Sequence, residues 1–210
     1  MLVRSTDALP VGNRSVDAVG AAPIGDPKQM DSELTLRVDG VTHDLEVDTR
    51  ASLLDTLRQR LGVMSPKKGC DHGQCGACTV LVDGRRVLAC LSLAVAQDGH
   101  EITTADGLSA DGEEHPVHRA FVDHDGFQCG YCTPGQVCSA VGVLDEFARG
   151  WPSAVTADVA AAPELVDAEI AERMSGNLCR CGAYKGIRAA VAQSNAAGSG
   201  AGTDPAGRSR

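Results

Sequence analysis

Aromatic residues are scarce in this chain: its 210 residues include three Phe, two Tyr and one Trp, or 3% in total. A core must therefore be built from Val, Leu, Ile and Ala, which favours small packing units over a large aromatic pocket. Because a chain of this length exceeds one typical domain, we expect two small domains, each with its own core.

Positive charge is also in short supply. The chain has 19 Lys and Arg against 28 Asp and Glu, which gives a formal net charge of -9. Binding to a phosphate backbone requires a basic face, and no window of the sequence offers one. We therefore expect no nucleic-acid partner.

No apolar run approaches the length that a membrane-spanning helix needs. Residues 1–30 mix Asp, Arg, Gly and Pro, and they contain neither the apolar segment of a signal peptide nor an adjacent pair of arginines. We therefore expect a soluble, cytoplasmic chain. In that reducing compartment clustered cysteines bind metal more often than they bind each other.

Cysteine, in contrast, is abundant, with nine residues. The stretch GCDHGQCGAC, residues 69–78, holds Cys70, Cys75 and Cys78 in a C-x4-C-x2-C pattern, and Cys90 follows the next predicted hairpin. This spacing is that of a plant-type [2Fe-2S] centre. Structural zinc is the rival interpretation, but zinc knuckles pair CxxC with CxxC or with histidines, and a disulfide framework conflicts with the compartment.

Glycine surrounds these cysteines at Gly69, Gly73 and Gly76. We expect these glycines to permit positive φ and to bring backbone N–H groups close to the sulfurs. Such donors stabilise the negative charge that arrives on reduction, and they therefore tune the potential of a cluster.

A second cysteine set consists of Cys129 and Cys132 in FQCGYCTPG and of Cys179 and Cys181 in GNLCRCGAY. A CxxC pair combined with a CxC pair suits an iron-sulfur cluster, but zinc binds such pairs too. This set alone therefore leaves both a cluster and a zinc site open. Each pair lies at the N-terminus of a predicted helix, so the positive end of the helix dipole would face an anionic cluster. The ninth cysteine, Cys138, is interpreted as a small core residue.

Apolar alternation predicts a sheet in the first half of the chain. Its predicted elements are hairpins around Asp39-Gly40 and Asp83-Gly84, a helix over residues 52–61 that ends at Gly62, and a closing strand in residues 100–104. Beyond Gly107 helical spacing dominates. Helices are predicted from Thr133 to Gly150, over residues 164–174, and through IRAAVAQ.

These patterns predict an α+β protein. We divide it into a flexible segment (1–31), a sheet domain (32–107), an all-α domain (108–194) and a disordered tail (195–210).

Three blocks, MSPKKGCDHGQCGACTVLVDGRRVLAC, FQCGYCTPGQ and MSGNLCRCGAY, resemble the iron-sulfur subunit of molybdenum hydroxylases, the group that includes xanthine dehydrogenase and aldehyde oxidoreductases. The resemblance covers about residues 33 to 192. Within the group, the run from Asp71 to Thr104 resembles the small subunit of bacterial periplasmic aldehyde oxidoreductases. That subunit typically carries a twin-arginine signal, so a periplasmic location would require a leader that this start omits.

The resemblance implies a β-grasp ferredoxin-like domain whose [2Fe-2S] cluster, on Cys70, Cys75, Cys78 and Cys90, faces an FAD-binding medium subunit. It also implies an all-α four-helix domain whose [2Fe-2S] cluster lies beside the molybdopterin cofactor of a large subunit. The ligands of this second cluster would be Cys129, Cys132, Cys179 and Cys181. Gln128 matches the glutamine that hydrogen-bonds the pterin, and Cys181 matches the ligand whose sulfur approaches the pterin amino group.

The implied function is electron transfer from molybdopterin through both clusters to FAD while an aldehyde is oxidised to a carboxylic acid. No catalytic residue is expected in this chain, because the substrate pocket would belong to the large subunit. The same role in a xanthine, carbon monoxide or N-heterocycle dehydrogenase is the alternative. A free-standing two-cluster ferredoxin and an iron-sulfur sensor stay open as minor alternatives.

Other polar residues near the cysteines are weaker candidates. His72 is interpreted as a loop hydrogen-bonding or solvated residue, because the first cysteine set is already complete. Three further histidines are expected to be solvated surface residues: His115, His118 and His124. Positive charge near a cluster would raise its reduction potential. The candidates are Lys67 and Lys68 for the first cluster and Arg180 for the second. Phe127 and Tyr131 would shield the second cluster or pack between helices.

Overall fold

The structure is a computed structural model and describes residues 30–109 and 113–198. Within these ranges the chain is α+β, as the sequence predicts, with a mixed sheet followed by helices. The expected N-terminal segment, up to residue 29, and the part of the expected tail after residue 198 lie outside the described residues.

Two predicted hairpins form the frame of the sheet. The first joins β1 (Asp31–Val38) to β2 (Val41–Asp48), and the second joins β3 (Thr79–Val82) to β4 (Arg85–Leu88). Both central residues of each turn have positive φ, which matches the right-handed twist of the strands.

The closing strand β5 (Glu101–Thr103) lies in the middle of the sheet, which has the order β2-β1-β5-β3-β4. It runs parallel to β1 and antiparallel to β3. A short 3-10 turn, Ala94–Gln97, precedes it.

One helical segment crosses the sheet, but it is not the single α-helix predicted over residues 52–61. The helix α1 (Leu53–Asp55) passes into a π-helical turn, Thr56–Arg60. The Thr56 hydroxyl donates to the Ser52 carbonyl at 3.0 Å, a bond that loosens helices. The wider turn still buries the three leucines of this segment, which are Leu53, Leu54 and Leu57.

The second half of the chain is helical: α2 (Pro116–Asp123), α3 (Thr133–Ala148), α4 (Asp167–Arg173) and α5 (Tyr184–Gly198). The helix α4 begins later than predicted because Val166 is extended and offers no side-chain cap. The helix α5 continues past residue 194, where we expected the tail to begin. No helix in the described ranges is long and apolar enough to cross a membrane.

Each half has its own buried core, and the halves meet where α3 packs on β3 and β4. The side chain of Arg86 on β4 lies across Gly142 of α3, since a Cβ on that glycine would stand 2.2 Å from the Arg86 Cγ. Trp151 follows α3, and the centre of its ring lies 5.7 Å from the guanidinium of Arg85 and 5.8 Å from that of Arg149.

Candidate metal centres

The first cysteine set is assembled by the β3–β4 hairpin. Cys78 immediately precedes β3 and Cys90 follows β4, so pairing of the two strands brings these residues together. The Ala89 N–H donates to the Cys78 carbonyl at 3.3 Å and extends the ladder to the cysteines. Cys70 and Cys75 lie in the loop before Cys78 and are half-buried, whereas Cys78 is buried.

Backbone donors surround the sulfurs of this loop. The Gln74 N–H donates to Cys70 Sγ at 3.2 Å, and the Cys70 N–H donates to Cys75 Sγ at 3.4 Å. The backbone N–H groups of His72, Gln74 and Cys75 lower the pKa of Cys70 to about 6, although partial burial opposes the shift. Burial raises the pKa of Cys78 to about 12.

The glycine predictions are confirmed in part. Gly73 and Gly76 have φ of 80° and 69°, but Gly69 does not have positive φ. Gly69 is needed for space instead, because a Cβ there would lie 2.8 Å from Cys75 Sγ. The left-handed position near the start of the loop is taken by Asp71, at φ 59°.

The second cysteine set lies between two helix N-termini, as the sequence predicts. Cys132 is the N-cap residue of α3, and Cys179 and Cys181 precede α5. The Cys179 N–H donates to the Tyr184 hydroxyl at 2.8 Å, and Cys179 Sγ accepts from the Ala183 N–H at 3.4 Å.

Burial and backbone donors act in opposite directions in this set. Burial raises the pKa of Cys132 to about 11. Burial also acts to raise the pKa of Cys179, but the N–H of Ala183 and the Cys132 thiol outweigh it and the net shift is downward. Cys129 and Cys181 are exposed. One edge of this set therefore faces the surface.

The thiols approach each other in pairs: Cys70 with Cys75, Cys78 with Cys90, and Cys132 with Cys179. Within 30–109 and 113–198, no three Cys, His, Asp or Glu side chains are grouped so that they could hold one metal ion. A [2Fe-2S] cluster takes two protein ligands on each of its two irons, so paired thiols, backbone donors to sulfur and glycines that clear space fit that group.

The two cysteine loops adjoin each other directly. The Leu178 N–H donates to the Cys75 carbonyl at 2.9 Å, and the Tyr131 hydroxyl donates to the Lys68 carbonyl at 2.7 Å. A cavity of about 490 Å³ lies between the loops, and its lining includes Cys75 and Cys179 together with Cys129 and Cys132. A backbone hydrogen bond therefore connects one set to the other.

The remaining candidates from the sequence take ordinary structural roles. Nδ1 of His72 contacts the Cys70 carbonyl. The surface prediction is wrong for three histidines, which are half-buried: His115, His118 and His124. His115 caps α2 by accepting from the Val117 N–H at 3.2 Å. The other histidines also have partners, His118 with Ser109 and His124 with Gln193.

Of the three cations, Lys68 is paired with Asp55 at 2.8 Å and with Asp71 at 3.0 Å. The ammonium of Lys67 donates to the Met64 carbonyl, and Arg180 is exposed beside Cys181. Phe127 and Tyr131 are exposed rather than packed between helices. Cys138 is buried in the helical core, as predicted.

Asn177 was not predicted from the sequence; it is a buried residue whose side chain donates to the first cysteine loop and to α3. Its amide lies outside any spacing rule for metal ligands. A polar residue two positions before Cys179, in a segment that must pack closely, is the only sequence feature that marks it.

Comparisons with known proteins agree with this architecture. Residues 36–107 match the family described as 2Fe-2S iron-sulfur cluster binding domain, and residues 104–192 match the family described as [2Fe-2S] binding domain. Fold and cysteine sets together define a protein with two [2Fe-2S] domains, and thus with two clusters.

Among curated relatives, the aldehyde oxidoreductase iron-sulfur-binding subunit PaoA of Escherichia coli is 59% identical over 171 residues, which cover 81% of this chain and 75% of the relative. The nicotine 6-hydroxylase small subunit of Paenarthrobacter nicotinovorans is 40% identical over 159 residues, covering 76% and 87%. The crystal structure of quinoline 2-oxidoreductase from Pseudomonas putida 86 superposes with a TM-score of 0.67 at 34% identity, covering 81% of this chain and 98% of that chain.

The chain belongs to the family of iron-sulfur subunits of molybdenum hydroxylases. It is thus an electron-transfer subunit and not the catalytic subunit of such a complex.

Proposed function

We propose that this chain carries electrons from the molybdopterin centre of a large subunit, through two [2Fe-2S] clusters, to FAD on a medium subunit while aldehydes are oxidised to carboxylic acids. The first cluster would be held by Cys70, Cys75, Cys78 and Cys90. The second would be held by Cys129, Cys132, Cys179 and Cys181.

The hydrogen bond from the Leu178 N–H to the Cys75 carbonyl carries this proposal. Leu178 is bonded covalently to Cys179, so the path from one proposed ligand to the other contains a single non-covalent step. Two redox groups in one chain serve as a relay only if they are close, and this bond supports that closeness.

When bound, each [2Fe-2S] cluster takes up and releases one electron at a potential set by hydrogen bonds, charge and exposure. The chain's own residues would set those conditions. The N–H groups of Gln74 and Ala183 are directed at thiolate sulfurs and stabilise negative charge there. Buried Cys78 and Cys179 would keep water from the inner side of each set.

The second set faces a surface that suits a large partner. Gln128 and Cys181 are exposed, and apolar side chains around them are also exposed: Phe127, Tyr131 and Leu178, with 39%, 48% and 52% of their surface accessible. Apolar surface of this kind favours a stable subunit interface over the charged face of a transient carrier. We assign this face to the molybdopterin subunit, with Gln128 and Cys181 directed to the pterin.

The first set has an apolar rim of its own. Leu91 is exposed and lies over the cysteine loop, because a Cβ on Gly73 would stand 2.3 Å from its Cδ1. Leu93 and Met64 are exposed as well. We assign this face to the FAD subunit, so that electrons would enter at one set and leave at the other.

The domain limits are part of the proposal. We divide the chain into a β-grasp domain at 32–107 and a four-helix [2Fe-2S] domain at 108–194. The separate buried cores and the matched ranges 36–107 and 104–192 support this division.

Identity to the relatives favours an aldehyde over an N-heterocycle as the substrate of the complex, since it is 59% for PaoA and 40% for the nicotine 6-hydroxylase small subunit. The test is electron paramagnetic resonance of the complex, purified anaerobically from its own host, after an aromatic aldehyde is added without chemical reductant. Two distinct [2Fe-2S] signals that appear with the aldehyde are expected. Signals that appear only with an N-heterocycle would show that the substrate is an N-heterocycle and not an aldehyde. Zinc found in the chain in place of iron would overturn the proposal.

Gln128→Ala tests the assignment of the pterin face. We expect the complex to lose molybdenum, while the iron content of the chain stays unchanged. Gln59→Ala, an exposed glutamine on the π-helical turn of the other domain, is the control and should retain both metals. Unchanged molybdenum content and turnover in Gln128→Ala would refute the assignment.

A further inference from the structure

Asn177 is a buried amide at the meeting point of the two cysteine loops. Its Nδ2 donates to the Gly76 carbonyl at 2.9 Å, to the Gly135 carbonyl at 3.1 Å and to the Thr79 hydroxyl at 3.3 Å. Its Oδ1 accepts from the Ser139 hydroxyl at 2.6 Å. One side chain thus joins the first cysteine loop, β3 and α3.

The orientation of this amide is fixed by its partners. Two carbonyl oxygens can only accept, so the nitrogen must face Gly76 and Gly135, and the Ser139 hydroxyl completes the arrangement by donating to the oxygen. The backbone of Asn177 is held as well, since its carbonyl accepts from Gln136 Nε2 at 3.0 Å and its N–H donates to the Met174 carbonyl at 3.0 Å.

Close backbone approach makes room for the amide. A Cβ on Gly76 would lie 2.7 Å from Asn177 Nδ2 and 2.4 Å from the Gly176 carbonyl oxygen. A Cβ on Gly135 would lie 2.4 Å from the Gly76 carbonyl oxygen. A side chain on Gly76 would push the first cysteine loop away from the segment that leads to Cys179, and one on Gly135 would push that loop away from α3.

Asn177 acts next to the hydrogen bond between the two loops. Two neighbouring residues donate to two neighbouring carbonyls. The Asn177 side chain donates to the Gly76 carbonyl, and the Leu178 N–H donates to the Cys75 carbonyl. If the first contact is lost, the Gly76 carbonyl keeps only its bonds from the N–H and the hydroxyl of Thr79, which belong to its own segment. The second contact then loses the neighbour that aligns it.

We propose that Asn177 is a positioning residue that fixes the Leu178–Cys75 hydrogen bond and so sets the coupling between the two clusters. The proposal rests on the proposed function, because it requires a cluster in each cysteine set. Asn177 contacts neither set of sulfurs and would act only through Gly76 and Leu178.

Asn177→Asp is the primary variant because it keeps the shape of the side chain and the acceptor for Ser139. Its second oxygen would face the carbonyls of Gly76 and Gly135, which repels them. Should this variant lose iron, Asn177→Ser carries the same test, since a hydroxyl can serve only one of the two carbonyls. Val143→Ala, a fully buried residue of α3 in the helical core, is the control for a general loss of packing.

The measurement is low-temperature electron paramagnetic resonance of the dithionite-reduced complex, with iron content determined on the same sample. We expect wild type and Val143→Ala to show lines split by interaction between the clusters. The Asn177 variants should retain the iron and both signals but show a smaller splitting. After rapid mixing with substrate and freezing, they should also show the second cluster reduced before the first, whereas both are reduced together in wild type.

The outcomes separate this inference from the proposed function. Absence of two [2Fe-2S] signals in wild type would overturn the function and the inference with it. Two signals in wild type, with the same splitting and the same order of reduction in an iron-loaded Asn177 variant, would overturn only the role of Asn177. An equally reduced splitting in Val143→Ala would also overturn it, because general loosening would then explain the effect.

Discussion

Arg86 on β4 and Glu146 on α3 form a two-point ion pair, in which Nε lies 2.8 Å from Oε1 and Nη2 lies 2.8 Å from Oε2. The third nitrogen, Nη1, donates to the Arg173 carbonyl at 2.8 Å. All three nitrogens of the guanidinium therefore bind the helical half of the chain. One side chain of the sheet holds both α3 and α4.

Replacing Arg86 with Met should lower the free energy of unfolding by about 1–2 kcal/mol. The pair is partly accessible, with 25% and 21% of the two side chains exposed, so the loss should be smaller than the roughly 3–5 kcal/mol of a fully buried pair. Urea unfolding of the cluster-loaded chain, followed by circular dichroism, measures it. Arg119→Met, which removes an exposed pair with Asp123, is the control and should cost less than about 0.5 kcal/mol. Equal losses would contradict the role of Arg86.

Cys75→Ser should remove the first cluster and leave the second, because Cys75 belongs only to the first cysteine set. The chain's iron content should fall by half, and one of two paramagnetic signals should disappear. Cys138→Ala is the control: Cys138 is buried in the helical core, and both clusters should persist. Loss of both signals in Cys75→Ser would contradict the division into two independent ligand sets.

Gly76→Ala and Gly84→Ala separate backbone strain from steric exclusion. Both positions have positive φ, 69° and 78°, so each substitution should cost about 1 kcal/mol for that reason. Gly84 opens to free space, whereas a Cβ on Gly76 would lie 2.4 Å from the Gly176 carbonyl oxygen. Gly76→Ala should therefore lower the unfolding free energy further and reduce iron loading, as measured by urea unfolding and iron analysis. Equal effects would show that the contact relaxes.

Acid should destabilise the helical half through Glu169. Hydrogen bonding from the Thr156 hydroxyl, with further bonds from Ser153 and Arg173, holds the pKa of Glu169 below its ordinary value of 4.5, although burial opposes the shift. The unfolded state therefore binds this proton more readily than the native state does. The stabilisation is complete above 4.5 and is lost as pH falls through the native pKa.

Unfolding free energies measured from neutral pH to below 4.5 should show this loss in wild type and a flatter profile in Glu169→Gln. Acid lability of the clusters affects both proteins, so the difference between their profiles is the quantity to compare. A Glu169→Gln profile parallel to wild type would contradict the assignment.

Local chemistry explains which parts of the fold could be predicted. Asp39-Gly40 and Asp83-Gly84 specify their turns by residue type alone, and both occur as predicted. The central position of β5 could not be predicted, because its pairing with β1 joins residues that are far apart in sequence and no short pattern encodes it. The π-helical turn is closed by the bond from the Leu61 N–H to the Thr56 carbonyl, five residues back, and apolar spacing does not reveal such a bond.

The same contrast holds for the site. Ligand spacing predicts both cysteine sets, since metal chemistry restricts which residues occur and how far apart they lie. Asn177 was missed because its role arises from three backbone segments that meet only in the folded chain. The predicted role of Gly69 was wrong. A glycine is needed there because a side chain would collide with the Cys75 sulfur, and not because the backbone requires positive φ.

Trp151, the one tryptophan of the chain, lies against Arg85 of the sheet half and Arg149 of the helical half. Its indole therefore senses whether the two halves are together. Separation of β4 from α3 would remove the Arg85 guanidinium from the ring, which should change the emission of the indole. The chain thus contains an intrinsic fluorescent probe of its own domain boundary, and no label is needed to follow opening in solution.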